Sequence, residues 1–260
     1  MKLATWNVNS LTARLPLVLE WIAANGPDVL CMQETKQTDA AFPAGAFADA
    51  GYQVAHHGDG RWNGVAIASR VGLERPSRGF ESDEDVHGCR IIAATCGGMR
   101  VHSVYVPNGR SLDSEQYGFK LTWLARLRAY LAETCDPSAD VAVCGDFNVA
   151  PTDADVWDPT ATSGSTHVSA PERTALDALL EWGLEDVFAR FHPEGGIYTW
   201  WDYRAGDFHK GRGMRIDLAL LSTGPAGRCR GASVDRDARK KSPAGNKPSD
   251  HAPLTVELDD

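Results

Sequence analysis

Short apolar runs that end in a polar cluster recur throughout this chain, and this limits its fold more than any other feature of the sequence. Strand-like runs cover Lys2–Val8, Val29–Gln33, Tyr52–His56, Gly64–Ser69, Arg90–Thr95, Arg100–Val106, Val141–Cys144, Met214–Leu221 and Ala252–Leu258. Helical spacing places Leu15, Val18, Leu19 and Ile22 on one stripe, and Phe119, Trp123, Leu124, Leu127 and Leu131 on a longer one. A third, shorter helix is predicted over Pro171–Trp182, with Ala175, Leu176, Leu179 and Leu180 facing inward and Gly183 ending it. These stripes are core, and Trp123 and Trp182 belong to them. Strands outnumber helices and do not alternate strictly with them. The pattern therefore predicts a mixed or antiparallel sheet sandwich with helices outside, rather than a doubly wound parallel sheet.

The polar clusters share one placement, at or just past the end of an apolar run. They are Trp6-Asn7, Gln33-Glu34-Thr35, Tyr105-Val106-Pro107-Asn108, Gly145-Asp146-Phe147-Asn148, Arg215-Ile216-Asp217 and Asp250-His251. Loops held at strand ends by a rigid scaffold are where binding and catalytic groups concentrate, and such ends can converge on one rim.

Each cluster carries chemistry that a plain structural role could also use. Asp250-His251 sits in a proline-bounded turn; it is either a solvated turn or a proton-handling imidazole beside a carboxylate free to hold a metal. Glu34 closes a buried run, so its carboxylate needs a cation, a helix N-terminus or an arginine. Asp146 and Asn148, two apart at a strand end, point to one side and could orient and deprotonate a water; Gly, Asp and Asn are also turn formers. Asp217 is flanked by apolar residues and needs a partner, either His251, whose tautomer it would fix and whose pKa it would raise, or an arginine such as Arg215. Tyr105 and Asn108 can hydrogen-bond a phosphoryl oxygen, and Arg110 can pair with a phosphate in a fork. The candidate metal ligands Asn7, Glu34 and Asp250 all act through oxygen. A small set of hard ligands that leaves room for water suits Mg²⁺ or Mn²⁺ and not structural zinc.

Composition narrows the partners. A net charge of −9 argues against a protein that coats nucleic acid by bulk electrostatics. Charge is uneven, however: residues 200–250 hold 11 Lys/Arg against 6 Asp/Glu. The run Arg236 to Lys241 within them is either a surface for a phosphate-bearing partner or a solvated loop. No apolar run approaches a membrane span, and the N-terminus reads as a strand, not a signal peptide. The six cysteines form no CxxC pair, which predicts reduced thiols in a cytoplasmic protein. No exposed apolar stripe asks for a dimer, so a monomer is expected. A chain of 260 residues suits one large α/β domain as well as two small ones.

Taken together, the clusters resemble the exonuclease III family of DNA repair nucleases, within the endonuclease–exonuclease–phosphatase group. The matching pieces, in family order, are Thr5 to Leu11, Pro27-Asp28-Val29 through Gln33-Glu34-Thr35-Lys36, Asn63 to Ala66, Tyr105 to Gly109, Gly145-Asp146-Phe147-Asn148, Thr199 to Arg204, Arg215-Ile216-Asp217, and Ser249-Asp250-His251. They span nearly the whole chain. The resemblance implies a single domain over residues 1–260. Its fold would be a four-layered α/β sandwich, with two mixed, mostly antiparallel sheets face to face and helices outside. It implies Mg²⁺-dependent cleavage of double-stranded DNA 5′ to an abasic site, with 3′–5′ exonuclease and 3′-end trimming. By the same resemblance, Glu34 would hold Mg²⁺ with Asn7 and Asp250 nearby. Asp146 would orient or deprotonate the water, with Asn148 helping to fix it. His251, buttressed by Asp217, would bond the scissile phosphate together with Tyr105 and Asn108. Trp200 and Ile216 would wall the pocket for a flipped abasic sugar. The segment Asp153–Ser169, with Trp157 and His167, carries no assignable chemistry and reads as either a DNA-facing loop or a packed surface loop, the DNA side being preferred. Two alternatives keep the fold: a phosphatase, sphingomyelinase or DNase I-like secreted nuclease, and a catalytically altered nucleic-acid-binding regulator. The intact set Glu34, Asp146, Asn148, Asp217, Asp250 and His251 argues against the regulator.

Overall fold

The computed structural model describes residues 1–60, 62–80, 88–240 and 245–259. Among them are the strands β1 (Lys2–Asn7), β2 (Val29–Gln33), β3 (Gln53–His57), β4 (Val65–Ser69), β5 (Glu74–Arg78) and β6 (Ile91–Cys96). They are followed by β7 (Met99–Tyr105), β8 (Val141–Asp146), β9 (Leu184–Asp186), β10 (Asp217–Ser222), β11 (Cys229–Val234) and β12 (Leu254–Leu258). They form two six-stranded sheets, ordered β11-β12-β1-β2-β4-β3 and β5-β6-β7-β8-β10-β9. Each sheet has a parallel pair at its centre, β1–β2 in one and β7–β8 in the other, with antiparallel strands on both sides.

The period-2 alternation of the strands builds the layers. In the first sheet Leu3, Cys31, Ile67 and Val256 face inward and meet Ala94, Val101, Cys144 and Ala219 of the second. The alternate residues Ala4, Trp6, Leu30 and Met32 face outward beneath the helix Leu11–Asn25, through its Val18 and Ile22. On the other side, Val104, Val143 and Leu218 lie beneath the helices Glu115–Thr134 and Ala170–Glu181. The expected stripe Trp123, Leu124, Leu127 and Leu131 is buried there. The expected α/β sandwich of four layers is therefore present. The third helix begins at Ala170 because Ser169 and Glu172 form a reciprocal capping box.

Three strands carried no clear sequence signal. β5 reads Glu-Arg-Pro-Ser-Arg and lies at a sheet edge, where a proline costs no ladder bond. β9 has three residues, and β11 is a partly polar edge strand with a bulge between Cys229 and Gly231. The run from Met214 was also expected to be strand throughout, but β10 starts at Asp217. Met214 instead bridges Val156 and Trp200. Within Asp153–Ser169 the chain forms a 3₁₀ turn (Asp153–Asp155) and a short helix (Pro159–Thr162) rather than one open loop.

The topology sets which ends meet. Parallel pairing brings the C-terminal ends of β1 and β2, and of β7 and β8, to a common edge. β10 runs antiparallel to β8, so its first residue arrives there, with Asp217 opposite Asp146. β12 runs antiparallel to β1, which brings the turn before Leu254 to the same edge. Below this rim, a polar link joins the two sheets: Gln33 donates to Thr5 Oγ1 at 3.0 Å and to Ser103 Oγ at 3.1 Å.

His102 on β7 is fully buried, with Nδ1 donating to the Ala142 carbonyl at 3.2 Å. Burial, reinforced by the Arg100 guanidinium, pushes its pKa down to about 4. The unfolded ring protonates near 6.5, so the contribution to stability is full above that pH and is lost as pH falls toward 4. Over that interval the loss from this one residue is about 3 kcal/mol. Urea unfolding at stepped pH should show a shallower acid-side slope for His102→Gln than for the native chain. An equal slope in both would mean that the folded ring titrates normally.

Candidate active site

The converging ends enclose a cleft of about 160 Å³ lined by Glu34, Tyr105, Asn108, Asp146, Asn148, His167, Trp200, Ile216, Asp250 and His251. All but His167 were expected site residues. Of the remaining expected residues, Asn7 and Asp217 stand directly behind this lining, and Arg110 does not line it.

Asp146 ends β8 and is buried. Its Oδ2 accepts from Asn7 Nδ2 at 2.9 Å and lies 3.8 Å from His251 Nε2. Burial, helped by the nearby Asp217 and Glu34 carboxylates, pushes its pKa up to about 7 against the opposing pull of His251 and Asn7. His251 Nδ1 bonds Asp217 Oδ2 at 2.8 Å. Burial alone would lower the imidazole pKa, but Asp217 and Asp146 outweigh it and push it up to about 10. Asp217 is thus partnered by His251. Arg215 pairs instead with Asp155 at 2.6 Å and Asp186 at 2.7 Å. The backbone at Asp217 is pinned by Thr199, whose Oγ1 accepts from the Ile216 and Asp217 amides at 3.1 Å each.

Two left-handed residues turn the chain at the rim. Glu34 (φ 51°) follows β2, and Asn148 (φ 51°) follows β8. Such conformations in non-glycine residues cluster where the surrounding structure holds a functional geometry. Asn148 therefore faces the cleft because of a turn, not by continued strand alternation; its amide donates to Asp146 Oδ1 at 2.9 Å. Asn108 Nδ2 donates to Asn148 Oδ1 at 3.1 Å, so the two amides form one unit. The Tyr105 phenol is held well above its ordinary range, by burial first and then by the Glu34 and Asp146 carboxylates.

The expected metal ligands are differently partnered. Asn7 Nδ2 bridges Glu34 Oε1 and Asp146 Oδ2, both at 2.9 Å, while its Oδ1 accepts from the Asn9 amide. Glu34 Oε2 pairs with Lys36 at 2.8 Å. Asp250 accepts from Asn9 at 2.9 Å and from the Trp200 indole at 3.3 Å. Separately, Asp146, Asp217 and His251 each offer a donor atom within 4.8 Å of the others, a buried group with metal-ligand spacing. Asp217 Oδ1 in that group is buried without a hydrogen-bond partner. Four carboxylates (Glu34, Asp146, Asp217 and Asp250) surround one small cleft, and this donor set suits a divalent cation.

Other expectations resolve differently. Arg110 is exposed at a left-handed position, its amide donating to Asn108 Oδ1. In the run from Arg236, Arg236 and Lys240 are exposed and Arg239 is buried. Arg236 lies over the Phe208 ring at 4.2 Å, Arg239 donates to the Ser249 carbonyl, and Lys240 pairs with Asp237. Lys241 lies outside the described residues. His167 is the site residue that sequence reasoning left without a role. Its Nδ1 donates to the Asn148 carbonyl, and its ring lies 6.5 Å from that of Trp200. Burial and the Lys120 ammonium hold its pKa down at about 4, so the ring is neutral near pH 7.

Known proteins resemble this chain in sequence and fold. The profile of the Endonuclease/Exonuclease/phosphatase family matches residues 4–251. Exodeoxyribonuclease III of Haemophilus influenzae is 34% identical over 273 aligned positions, covering 99% of this chain and 100% of that protein. An AP endonuclease from Archaeoglobus fulgidus superposes with a TM-score of 0.95 at 41% identity, with 100% of both chains covered. A 3′ phosphatase from Neisseria, an Asp-to-Asn variant bound to a product DNA hairpin, gives a TM-score of 0.93 at 40% identity, covering 100% of this chain and 99% of that one. The sandwich, the order of its site-bearing strand ends and these likenesses agree: the chain belongs to the exonuclease III family of AP endonucleases and 3′–5′ exonucleases.

Proposed function

We propose that residues 1–260 act as one domain that hydrolyses DNA phosphodiesters 5′ to abasic sites and removes nucleotides or phosphate from 3′ ends. The observation that carries this reading is the group Asn7–Asp146–His251–Asp217, in which Asp146 and His251 line the cleft together with the hydrogen-bonding groups of Tyr105, Asn108 and Asn148, while Asn7 and Asp217 support them from behind. The activities named for the relatives from Archaeoglobus and Neisseria support its two halves.

Each residue has a task in one in-line displacement. Asp146, with its pKa near 7, takes a proton from the attacking water. His251, kept cationic by Asp217, donates from Nε2 to a non-bridging phosphoryl oxygen as charge builds there. Tyr105 and the Asn108–Asn148 pair hydrogen-bond the same phosphoryl group. The water oxygen bonds to phosphorus as the P–O3′ bond breaks, and the departing 3′ oxygen takes a proton from solvent. Glu34, with Asn7 and Asp250 beside it, would hold Mg²⁺, with Mn²⁺ as a substitute. A bound divalent cation supplies charge neutralisation at the phosphoryl and leaving oxygens. Trp200 and Ile216 wall the space for an extruded sugar, and extrusion is easiest where no base must be unpaired. Arg110, exposed beside Asn108, would pair with a backbone phosphate of the duplex. The same reading takes the protein as a cytoplasmic monomer, in keeping with six free cysteines.

One observation favours a second reading, in which 3′-end removal outweighs incision at internal abasic sites. The His167 ring is part of the cleft wall beside Trp200, and the remaining space is small for a binding cavity.

A gel assay on a duplex with one abasic analogue, beside a recessed 3′ end and a 3′-phosphate, separates the readings. Mg²⁺-dependent nicking 5′ to the lesion supports the first, while action on the two 3′ ends alone supports the second. Silence on all three substrates would remove both. Asp146→Asn should bind duplex DNA normally while losing about 10²–10⁴ in rate; a native rate would exclude Asp146 as the base. Glu34→Ala should weaken Mn²⁺ binding measured by titration calorimetry, and its activity should recover in part at high Mg²⁺. Unchanged Mn²⁺ affinity would exclude Glu34 as a ligand.

A further inference from the structure

Lys120 and Glu172 form a fully buried ion pair outside the reacting groups. Lys120 lies on the inner face of the helix Glu115–Thr134, and Glu172 in the first turn of the helix Ala170–Glu181. Burying two charges is costly, and the cost is recovered only with good geometry and further hydrogen bonds. Both conditions are met. Besides Glu172, the Lys120 ammonium donates to the Asn148 carbonyl at 2.6 Å, the Asn108 carbonyl at 3.3 Å and Thr166 Oγ1 at 3.4 Å. Glu172 accepts from the Thr166 hydroxyl at 2.8 Å, the His167 amide at 2.9 Å and the Ser169 amide at 3.0 Å.

The carbonyls that Lys120 holds belong to the two amide residues of the cleft. Asn148 is left-handed, a conformation that persists only when its surroundings enforce it. Thr166 Oγ1, whose proton goes to Glu172, also lies 3.1 Å from the Asn108 carbonyl. The next residue, Gly109, is at φ 90°, and a Cβ there would sit 2.8 Å from Thr166 Oγ1 and 3.1 Å from Lys120 Cδ. The Pro-Asn-Gly turn is thus built around the lysine stem. A buried ion pair is often replaceable by apolar residues of similar volume without loss of stability; what this pair adds is the set of bonds it makes to the Asn108 and Asn148 carbonyls.

We propose that Lys120 is a positioning residue for phosphate recognition: anchored by Glu172, its ammonium fixes the Asn108 and Asn148 backbones and so aims their side-chain amides at the phosphoryl group. This rests on the phosphoester reading given above. Through Glu172 the same ammonium also fixes the segment carrying His167, so one buried charge sets three of the cleft walls.

The decisive variant is Lys120→Met combined with Glu172→Gln, which removes both charges and leaves neither unpaired. Melting temperature, duplex affinity, kcat on the preferred DNA substrate with Mg²⁺, and the side-chain amide NMR signals of Asn108 and Asn148 are measured together. The expected result is a fold that melts cooperatively, a duplex Kd within about threefold of native, because backbone contacts dominate it, kcat lowered about tenfold or more, and displaced amide signals. Native kcat with unmoved amide signals overturns the proposal. If the native protein cleaves none of the DNA substrates, the phosphoester reading fails on its own. The amide signals then still decide whether Lys120 fixes the two asparagines. Should the double variant not fold, Lys120→Gln is read the same way, with unmoved amide signals again the overturning result.

Discussion

Register at one strand end is the constraint on which the site depends. Asp146 is the register partner of Tyr105 on one side and of Asp217 on the other. β8 lies between a parallel and an antiparallel neighbour, so a C-terminal strand end meets an N-terminal one at the same rim. A slip of one residue would turn every side chain of β8 to the opposite face. It would place Asp146 beside Val104 and Leu218, under the helices, and break the Asp217–His251–Asp146 group. Cys144 and Ala142 on the inner face, with Val143 and Val141 on the outer, hold this register by burial on both sides.

Electrostatics then sets what the rim can do. Four carboxylates share a small cleft, with His251 and Lys36 as the cations that contact them directly. The protein relieves the excess negative charge unevenly. Asp217 is compensated by the imidazolium, Glu34 by Lys36, and Asp146 by a more modest set that leaves it near neutrality in pKa. Carboxylates a few ångströms apart thus acquire different protonation behaviour from their surroundings, a common way for one site to hold both a base and a charged donor.

Much of the fold and the reacting set was legible in the sequence, because the residues that carry the chemistry interrupt apolar periodicity. Asp217 and Asp146 are carboxylates at the ends of runs that otherwise exclude charge, and Glu34 closes β2. The helical stripes were legible for the same reason. What stayed hidden follows from local composition. β5 and β11 are edge strands with one wet face, so they lack the buried alternation that marks a strand. Thr199 acts through a single hydroxyl to two backbone amides, which no pattern records. His167 belongs to a polar segment in which a buried histidine looks like an exposed one. Lys120 did leave a trace: it stands one helical turn before Leu124, on the stripe otherwise given to Trp123, Leu127 and Leu131. A lysine on a core face needs a buried partner, but the partner is 52 residues away.

The pairing of β1 with β12 bears on when the protein becomes active. Lys2 pairs with Glu257 and Thr5 with Leu254, contacts about as far apart along the chain as this molecule permits. Such pairings form slowly, because loop-closure entropy must be overcome before they contribute. Asn7 and His251 flank this pair, and Ser249 Oγ donates to the Asn7 carbonyl across it. A growing polypeptide can shape the second sheet, with Asp146 and Asp217 in register, well before β12 exists. It cannot place the imidazole. The imidazole therefore reaches Asp146 and Asp217 only when β12 closes the first sheet against β1.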